Sequence, residues 1–221
     1  MPKPVRSQFG RHSIKKAGTK TGLSRPGIRL ARLVGKRIPK RWMVKGYHSP
    51  VIRAESTVRL MLRSHQKSGG KAYPVIRPKK ELGLSYIVNP AACDRLEAKL
   101  GEKTFLRRWL NGKISERLIH HPHRVADAII RRRFGLGQRI ARLGFKDKLL
   151  KSVSHAWQIE AVFERLTGTR YDALPPGTQA RPTEAMEVIH YQNGKAILTY
   201  RGKRFDVTKR LDQIVRAATQ R

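Results

Sequence analysis

The first 54 residues of the chain contain 15 lysines and arginines but no aspartate or glutamate, and the first acidic residue is Glu55. Nothing within this segment balances its positive charge, so electrostatic self-repulsion opposes its compaction. Proline and glycine also recur along it, and both disfavour long helices and central strands. We therefore predict an extended basic arm over residues 1–54, which contains one short helix at residues 26–38 and orders only when a polyanion binds.

The positive charge is concentrated in this part of the chain but extends beyond it. The 221 residues include 49 Lys and Arg against 15 Asp and Glu, which gives a formal net charge of +34. Residues 1–80 hold 22 basic residues and one acidic residue, whereas residues 81–160 hold 16 and 8. Such an excess predicts a polyanionic partner, and nucleic acid fits better than an anionic membrane surface or an acidic protein. No apolar run exceeds three residues, so no membrane span is expected.

Beyond Glu55 the apolar residues recur with helical spacing, and glycines mark the helix ends. This pattern predicts a mainly helical body over residues 55–168. A short strand is expected at residues 84–88, before a helix that starts at Asn89 and Pro90. The clearest helical pattern lies between residues 145 and 168, where Leu150, Val153 and Trp157 are spaced by three and four residues.

Proline and glycine return in residues 169–183, which are predicted to form a linker. The period then changes, and residues 184–221 predict a β-β-β-α module with a hairpin turn at Asn193 and Gly194 and a last helix capped by Thr208. The predicted fold class is therefore α+β, with an extended basic N-terminal arm, a mainly helical middle region and a small C-terminal β-β-β-α module.

The sequence contains no recognisable catalytic apparatus. His120, His121 and His123 lie within four residues, but adjacent residues rarely converge on one metal ion, and no further ligands stand at a suitable spacing. The lone Cys93 excludes an internal disulfide and is expected to be a small buried apolar group. We therefore predict a protein that is not an enzyme, with no catalytic residue, no metal site and no cofactor.

Two basic regions are expected to bind RNA, because lysine and arginine neutralise phosphate and arginine also stacks on bases. Trp42 and Tyr47 lie among the cations of the first region, where they either stack on unpaired bases or pack in the core. The predicted RNA-binding residues are Arg6, Arg11, Lys15, Lys16, Lys20, Arg25, Arg29, Arg32, Lys36, Arg37, Lys40, Arg41, Trp42, Lys45, Tyr47 and Arg53 in the first region, and Arg131, Arg132, Arg133, Arg139 and Arg142 in the second.

An acid-free arm, several short helices and arginine clusters at residues 131–142 resemble ribosomal proteins, in which a basic extension passes between rRNA helices. This resemblance implies a structural constituent of the ribosome, with rRNA and neighbouring ribosomal proteins as partners and no small-molecule substrate. Lineage-specific proteins of this kind are abundant in mitochondrial ribosomes, so that location is preferred over a cytoplasmic ribosome. The alternatives are a DNA-packaging or chromatin-type protein, a ribosome-assembly factor, and an RNA-processing enzyme that uses the histidine cluster.

Overall fold

A mixed eight-stranded sheet forms the centre of the structure, a computed structural model that describes residues 4–16, 22–177 and 179–217. The strands are β1 (Val5–Arg11), β2 (Met43–His48), β3 (Lys71–Ala72), β4 (Arg77–Pro78), β5 (Lys148–Ser154), β6 (Ala185–His190), β7 (Ala196–Tyr200) and β8 (Lys203–Asp206). Their order is β3-β2-β5-β1-β6-β7-β8, and β4 also pairs with β2. β1 to β5 run parallel where they pair, whereas β6, β7 and β8 are antiparallel to their neighbours.

Within these ranges eight α-helices surround the sheet: α1 (Arg25–Arg37), α2 (Ile52–Lys67), α3 (Pro90–Leu100), α4 (Glu102–Leu110), α5 (Pro122–Ile129), α6 (Gly135–Arg142), α7 (Ala156–Thr167) and α8 (Thr208–Arg216). A π-helical turn, Ile130–Phe134, joins α5 to α6, and short 3-10 turns lie at Lys80–Leu82 and Tyr171–Ala173. No helix in the described part of the chain combines the length and the apolar character that crossing a membrane requires.

α1 and α2 cover one face of the sheet. Ser24 caps α1, because its hydroxyl oxygen accepts a hydrogen bond from the Gly27 amide at 3.1 Å, and Pro26 follows in the first turn. The buried face of α1 consists of the small residues Gly27, Ala31 and Gly35, so its backbone comes close to α2. A Cβ atom on Gly35 would clash with the Met61 carbonyl oxygen, so this helix contact requires glycine.

The remaining core lies on the opposite face of the sheet, under α5, α6, α7 and α8. β5 contributes to both sides, because Leu149 and Val153 pack with the residues under α1 and α2, whereas Leu150 packs in the larger cluster. In that larger cluster Phe9 of β1 meets Phe134 edge to face, with ring centroids 6.3 Å apart. A strand buried on both faces is typical of the centre of an α/β sheet.

The predicted fold class is wrong, and the first 54 residues show why. They supply β1, α1 and β2, and β1 lies in the interior of the sheet between β5 and β6. The positive charges do not prevent this packing, because α1 turns its five basic residues, Arg25, Arg29, Arg32, Lys36 and Arg37, to solvent. The short helix predicted at residues 26–38 is present, but inside a folded layer rather than an arm.

Three further expectations about the fold also fail. Residues 145–168 do not form one helix, since Lys148–Ser154 is strand β5 and only Ala156–Thr167 is helical. A short apolar run with spacings of three and four fits a doubly buried strand as well as a helix. The last three strands and α8 do not form a separate small module, because β6 pairs with β1 and extends the central sheet. Residues 84–88 form turns rather than a strand, and Ile87 makes only an isolated bridge to Ile119.

Candidate active site

Three parallel strands end side by side, and a histidine stands at the carboxyl end of each. In the sheet Arg11 of β1 is opposite Ser154 of β5, and His48 of β2 is opposite Val153. The chain therefore brings His12, His48 and His155 to one edge of the sheet. In α/β sheets ligands bind at the carboxyl ends of the strands, so this edge is the candidate ligand-binding site.

The imidazole of His12 is held in one orientation, with one nitrogen available. Its Nδ1 lies 2.7 Å from the Ser13 carbonyl oxygen, which can only accept, so Nδ1 carries the proton and donates. The lone pair is then on Nε2, and Arg53 Nε donates a hydrogen bond to it at 3.0 Å. This geometry leaves the lone pair of His12 Nε2 facing a cation.

His155 lies beside His12, with ring centroids 5.3 Å apart and the ring planes at 70°. Its Nε2 is 3.1 Å from the Ser49 hydroxyl, and its Nδ1 is 3.5 Å from Arg53 Nη2. Because His155 directly precedes α7, the first amides of that helix also face this edge, where they favour an anion.

The two arginines of the site are fixed by neighbouring segments. Arg11 Nη1 donates to the Ala180 carbonyl at 2.7 Å, which links β1 to the chain before β6. The first turn of α2 contains Arg53, and its carbonyl accepts a hydrogen bond from Thr57 Oγ1 at 2.7 Å. The same hydroxyl oxygen accepts from the Ser13 amide at 3.0 Å, so α2 and the residue after His12 are held together.

Burial and positive charge shift the pKa values of both histidines in the same direction. Burial, opposed by the hydrogen bond to Ser13 and aided by the charges of Arg53 and Arg11, lowers the pKa of His12 to about 4. Burial likewise lowers the pKa of His155 to about 3, with His12, Arg53 and Arg11 acting in the same sense. Both imidazoles are therefore neutral near pH 7, and the site presents two guanidinium charges.

A cavity of about 310 Å³ opens above these residues. Its lining includes a group of four basic residues that we call the cradle: Arg11, His12, Arg53 and His155. The polar residues that line the cavity around this cradle include Lys15, Glu102 and Gln179, and Glu102 is the one carboxylate within the described part of the lining. The remaining walls are mostly apolar.

The residues predicted to bind RNA are dispersed over the protein. Arg11, Lys15 and Arg53 lie in the cavity just described. Arg6, Arg37, Arg41 and Trp42 line a second cavity of about 220 Å³ beside α1, where Arg6 pairs with Glu187 at 2.7 Å. Lys40 lies in the turn before β2, Lys45 and Tyr47 lie on β2, Arg25, Arg29, Arg32 and Lys36 lie on α1, Lys16 lies just after Lys15, and Lys20 lies outside the described residues.

The second arginine region is divided between solvent and core. Arg133 is buried, lies 3.0 Å from Glu81 and places its guanidinium over the Tyr47 ring at 4.6 Å. Arg131 and Arg132 belong to the same π-helical turn, and Arg139 and Arg142 lie on the exposed side of α6. Trp42 and Tyr47 are both buried, as the alternative of core packing predicts. As RNA contacts, all these residues remain predictions of the sequence alone.

Sequence reasoning missed His12 and His155, although a weak indication was present. Residues 11–13 are Arg-His-Ser, residues 47–49 are Tyr-His-Ser and residues 153–155 are Val-Ser-His, and each triplet follows an alternating or apolar stretch. The indication requires that the three stretches be recognised as parallel strands. The histidine cluster at residues 120–123, considered above as a metal site, does not line the cavity. Among residues 4–16, 22–177 and 179–217 no group of three or more side chains could hold a metal ion.

The sequence matches no protein-family model and no curated protein. Its structure is similar to that of a mycobacterial hydrolase, with a TM-score of 0.59, 15% identity and coverage of 99% of this chain and 98% of that one. It is also similar to a mycobacterial glucosyl-3-phosphoglycerate phosphatase in complex with inorganic phosphate, with a TM-score of 0.57, 15% identity and coverage of 91% of this chain and 97% of that one. It is also similar to the phosphoglycerate mutase of Bacillus anthracis strain Sterne (TM-score 0.55, 15%, 96% and 97%).

These similarities overturn the resemblance to ribosomal proteins, together with the expectations derived from it. The predictions of a ribosomal constituent, of rRNA and ribosomal proteins as partners, of no small-molecule substrate and of a ribosomal location depended on an extended arm, and residues 5–11 and 25–48 of that segment are folded. The prediction that the protein is not an enzyme depended on the lack of a recognisable catalytic motif, and the similarity to solved phosphatase and mutase structures contradicts it. The RNA-processing alternative fails too, since the histidine cluster is not the site. The chain has the α/β fold of these solved structures.

Proposed function

We propose that this protein is a phosphatase that transfers the phosphoryl group of a phosphate monoester to His12 and then to water. The observation that supports it best is the state of His12: a neutral imidazole whose Nε2 lone pair faces Arg53 at 3.0 Å, between Arg11 and a second neutral histidine. A phosphate monoester carries two negative charges, which match in number the positive charges of the two guanidinium groups.

In the first step the cradle binds the substrate phosphate and His12 Nε2 attacks phosphorus. The guanidinium groups of Arg11 and Arg53 neutralise the non-bridging oxygens, and the phosphate replaces His12 as the partner of Arg53. Arg53 Nη2 can only donate, so His155 Nδ1 accepts from it, and the proton lies on Nε2, which donates to the Ser49 hydroxyl oxygen.

The bond between phosphorus and the ester oxygen breaks as the bond to His12 Nε2 forms, so the leaving oxygen needs a proton. We assign this proton to Glu102, because it is the carboxylate that lines the described part of the cavity. In the second step Glu102 takes a proton from water, the water oxygen attacks phosphorus, and the electron pair of the broken bond returns to His12 Nε2. Glu102 is exposed to solvent, so water reaches it without a further opening.

The solved structures with this fold support the same chemistry. One of them is a phosphatase with inorganic phosphate bound, and another is a phosphoglycerate mutase. We favour transfer to water over transfer to a second substrate, because the cavity is small and the carboxylate at its rim is solvent-exposed.

The test is detection of the phosphorylated histidine. The purified protein is mixed with 4-nitrophenyl phosphate and quenched in alkali, and the intact mass and the fragments that contain His12 are measured. We expect the mass of one added phosphoryl group on His12, which is lost on brief exposure to acid, together with steady release of nitrophenolate. The variant His12→Asn should show neither.

His48 provides the matched control. It is a buried histidine at the end of the neighbouring parallel strand, its Nδ1 lies 2.7 Å from the Ser49 carbonyl, and it does not line the cavity. A folded His48→Asn variant should retain phosphorylation of His12. Phosphoryl release that persists in His12→Asn, or no turnover by the unmodified protein, would show that the proposal is wrong.

A further inference from the structure

The walls of the cavity differ in chemistry from the cradle. Above the cradle the lining includes Ile14, Leu84, Tyr86, Ile87 and Trp157. Ile14 and Leu84 remain 38% and 37% exposed, so they present large apolar surfaces to the space that a substrate would occupy. Exposed apolar area in a cavity becomes favourable only when a ligand covers it.

The aromatic side of this wall is held rigidly by a stack of rings. Tyr86 stacks on Trp109 with centroids 5.6 Å apart and planes at 23°, and Trp157 lies 5.2 Å from the Phe105 ring and 6.3 Å from Trp109. Trp109 is itself fixed, because its Nε1 donates to the His120 carbonyl at 2.9 Å. A preformed aromatic surface binds a flat apolar group with little cost in side-chain entropy.

The polar groups outside the cradle are few. Lys15 is the one cation and Glu102 the one carboxyl group of the described lining outside the cradle, so a second anionic group on the substrate would have a single cationic partner. Gln179 is one amide, whereas a sugar needs partners for several hydroxyl groups. Neither a phosphorylated acid nor a phosphorylated sugar is matched by these walls.

From these contacts, and resting on the proposed function, we infer that the substrate is a phosphate monoester of an aromatic or similarly apolar alcohol. The phosphate occupies the cradle, and the organic group lies between the aromatic wall and the side chains of Ile14 and Leu84.

Three substrates with primary alcohol leaving groups separate binding by the walls from leaving-group chemistry: 2-phenylethyl phosphate, 3-phosphoglycerate and glucose 6-phosphate. We expect kcat/KM for 2-phenylethyl phosphate to exceed that for each of the other two at least about tenfold, as apolar contacts in a pocket discriminate. Equal or higher values for 3-phosphoglycerate or glucose 6-phosphate would overturn the inference and leave the proposed function standing.

A substitution in the wall connects the preference to the structure. Leu84→Asn keeps the size of the side chain but removes its apolar surface, so kcat/KM for 2-phenylethyl phosphate should fall about tenfold while that for 3-phosphoglycerate changes less than about twofold. Leu143→Asn, at a residue 68% exposed on the far end of α6 and outside the cavity lining, should change neither value. An equal loss for both substrates in Leu84→Asn would indicate general damage and refute the assignment.

Binding keeps the inference testable if turnover is absent. Calorimetric titration with 2-phenylethyl phosphonate, which lacks a cleavable ester oxygen, is compared with titration with 3-phosphoglycerate. Tighter binding of the phosphonate that Leu84→Asn weakens would support an apolar substrate even if the catalytic proposal fails. Equal or weaker binding of the phosphonate would refute it.

Discussion

Glu160 allows a direct test of how burial changes the pKa of a side chain and, through it, the pH dependence of stability. It lies in α7, is fully buried, and accepts a hydrogen bond from the Ala180 amide on Oε1 at 2.6 Å. Within the described residues its Oε2 has no hydrogen-bond partner. Burial raises the pKa of Glu160 to about 8, and this effect outweighs the hydrogen bond from Ala180 and the charges of Arg201 and Arg11. The carboxyl group is therefore protonated at neutral pH in the folded protein.

The sign of the pH dependence follows from proton binding. Between its ordinary pKa of 4.5 and about 8, Glu160 holds a proton in the folded state that it releases on unfolding, so the free energy of unfolding falls as pH rises. His12, His155 and His190, whose pKa values are lowered from 6.5 to about 4, 3 and 3, act in the opposite sense, but only below pH 6.5. Between pH 6.5 and 8 the slope from Glu160 is about 1.4 kcal/mol per pH unit, which gives a loss of about 2 kcal/mol.

The measurement is urea unfolding followed by circular dichroism at pH 6.5 and pH 8, for the unmodified protein and for Glu160→Gln. The amide oxygen of the substituted side chain can still accept from Ala180, but the amide cannot titrate, so the variant should lose about 2 kcal/mol less than the unmodified protein over this range. Glu116→Gln, at an exposed position, should keep the original pH dependence. The same pH dependence in Glu160→Gln and in the unmodified protein would show that the carboxyl group is already ionised at pH 6.5.

Two further predictions follow from the site and the helix contact. The imidazole proton signals of His12 and His155 can be followed by NMR and assigned with the variants His12→Asn and His155→Asn. They should not titrate between pH 5 and 8, because burial and Arg53 hold both pKa values low. A midpoint near pH 6.5 for either ring would contradict the described packing. Gly35→Ala places a methyl group against the Met61 carbonyl and should lower the free energy of unfolding in urea titrations by about 1–3 kcal/mol. Lys36→Ala, at an exposed position, should change the free energy of unfolding by less than about 0.5 kcal/mol. Equal effects of the two substitutions would mean that α1 is not packed closely on α2.

Local features of the fold could be predicted where a side chain acts on its own helix. Asn89 and Pro90 mark the start of α3, with the Asn89 side chain accepting from the Ala92 amide at 3.1 Å, and Gly168 ends α7 with a φ of 72°. These helix ends depend on residues within one turn of each other, so they can be predicted from the local sequence. Cys93 is buried, as its place on the apolar side of that helix predicts.

The sheet and the site could not be predicted in the same way, since their determinants are distant in the chain. Lys148–Ser154 has apolar residues at positions 149, 150 and 153, and its partners β1 and β2 lie more than 100 residues earlier, so nothing local separates it from a helix. The total charge also misled, because it counts side chains without regard to the direction in which they point. The alternation in Val5, Ser7 and Phe9, all buried, was the available indication that residues 5–11 form a strand.

The position of β1 between β5 and β6 determines how the candidate active site can be lost on unfolding. The cradle contains residues 11, 12, 53 and 155, and residue 180 holds Arg11, so segments from most of the chain must be docked at once. Local unfolding of any of these segments separates the residues of the site before the rest of the molecule unfolds. In a denaturant titration the proposed phosphatase activity should therefore vanish no later than the ellipticity.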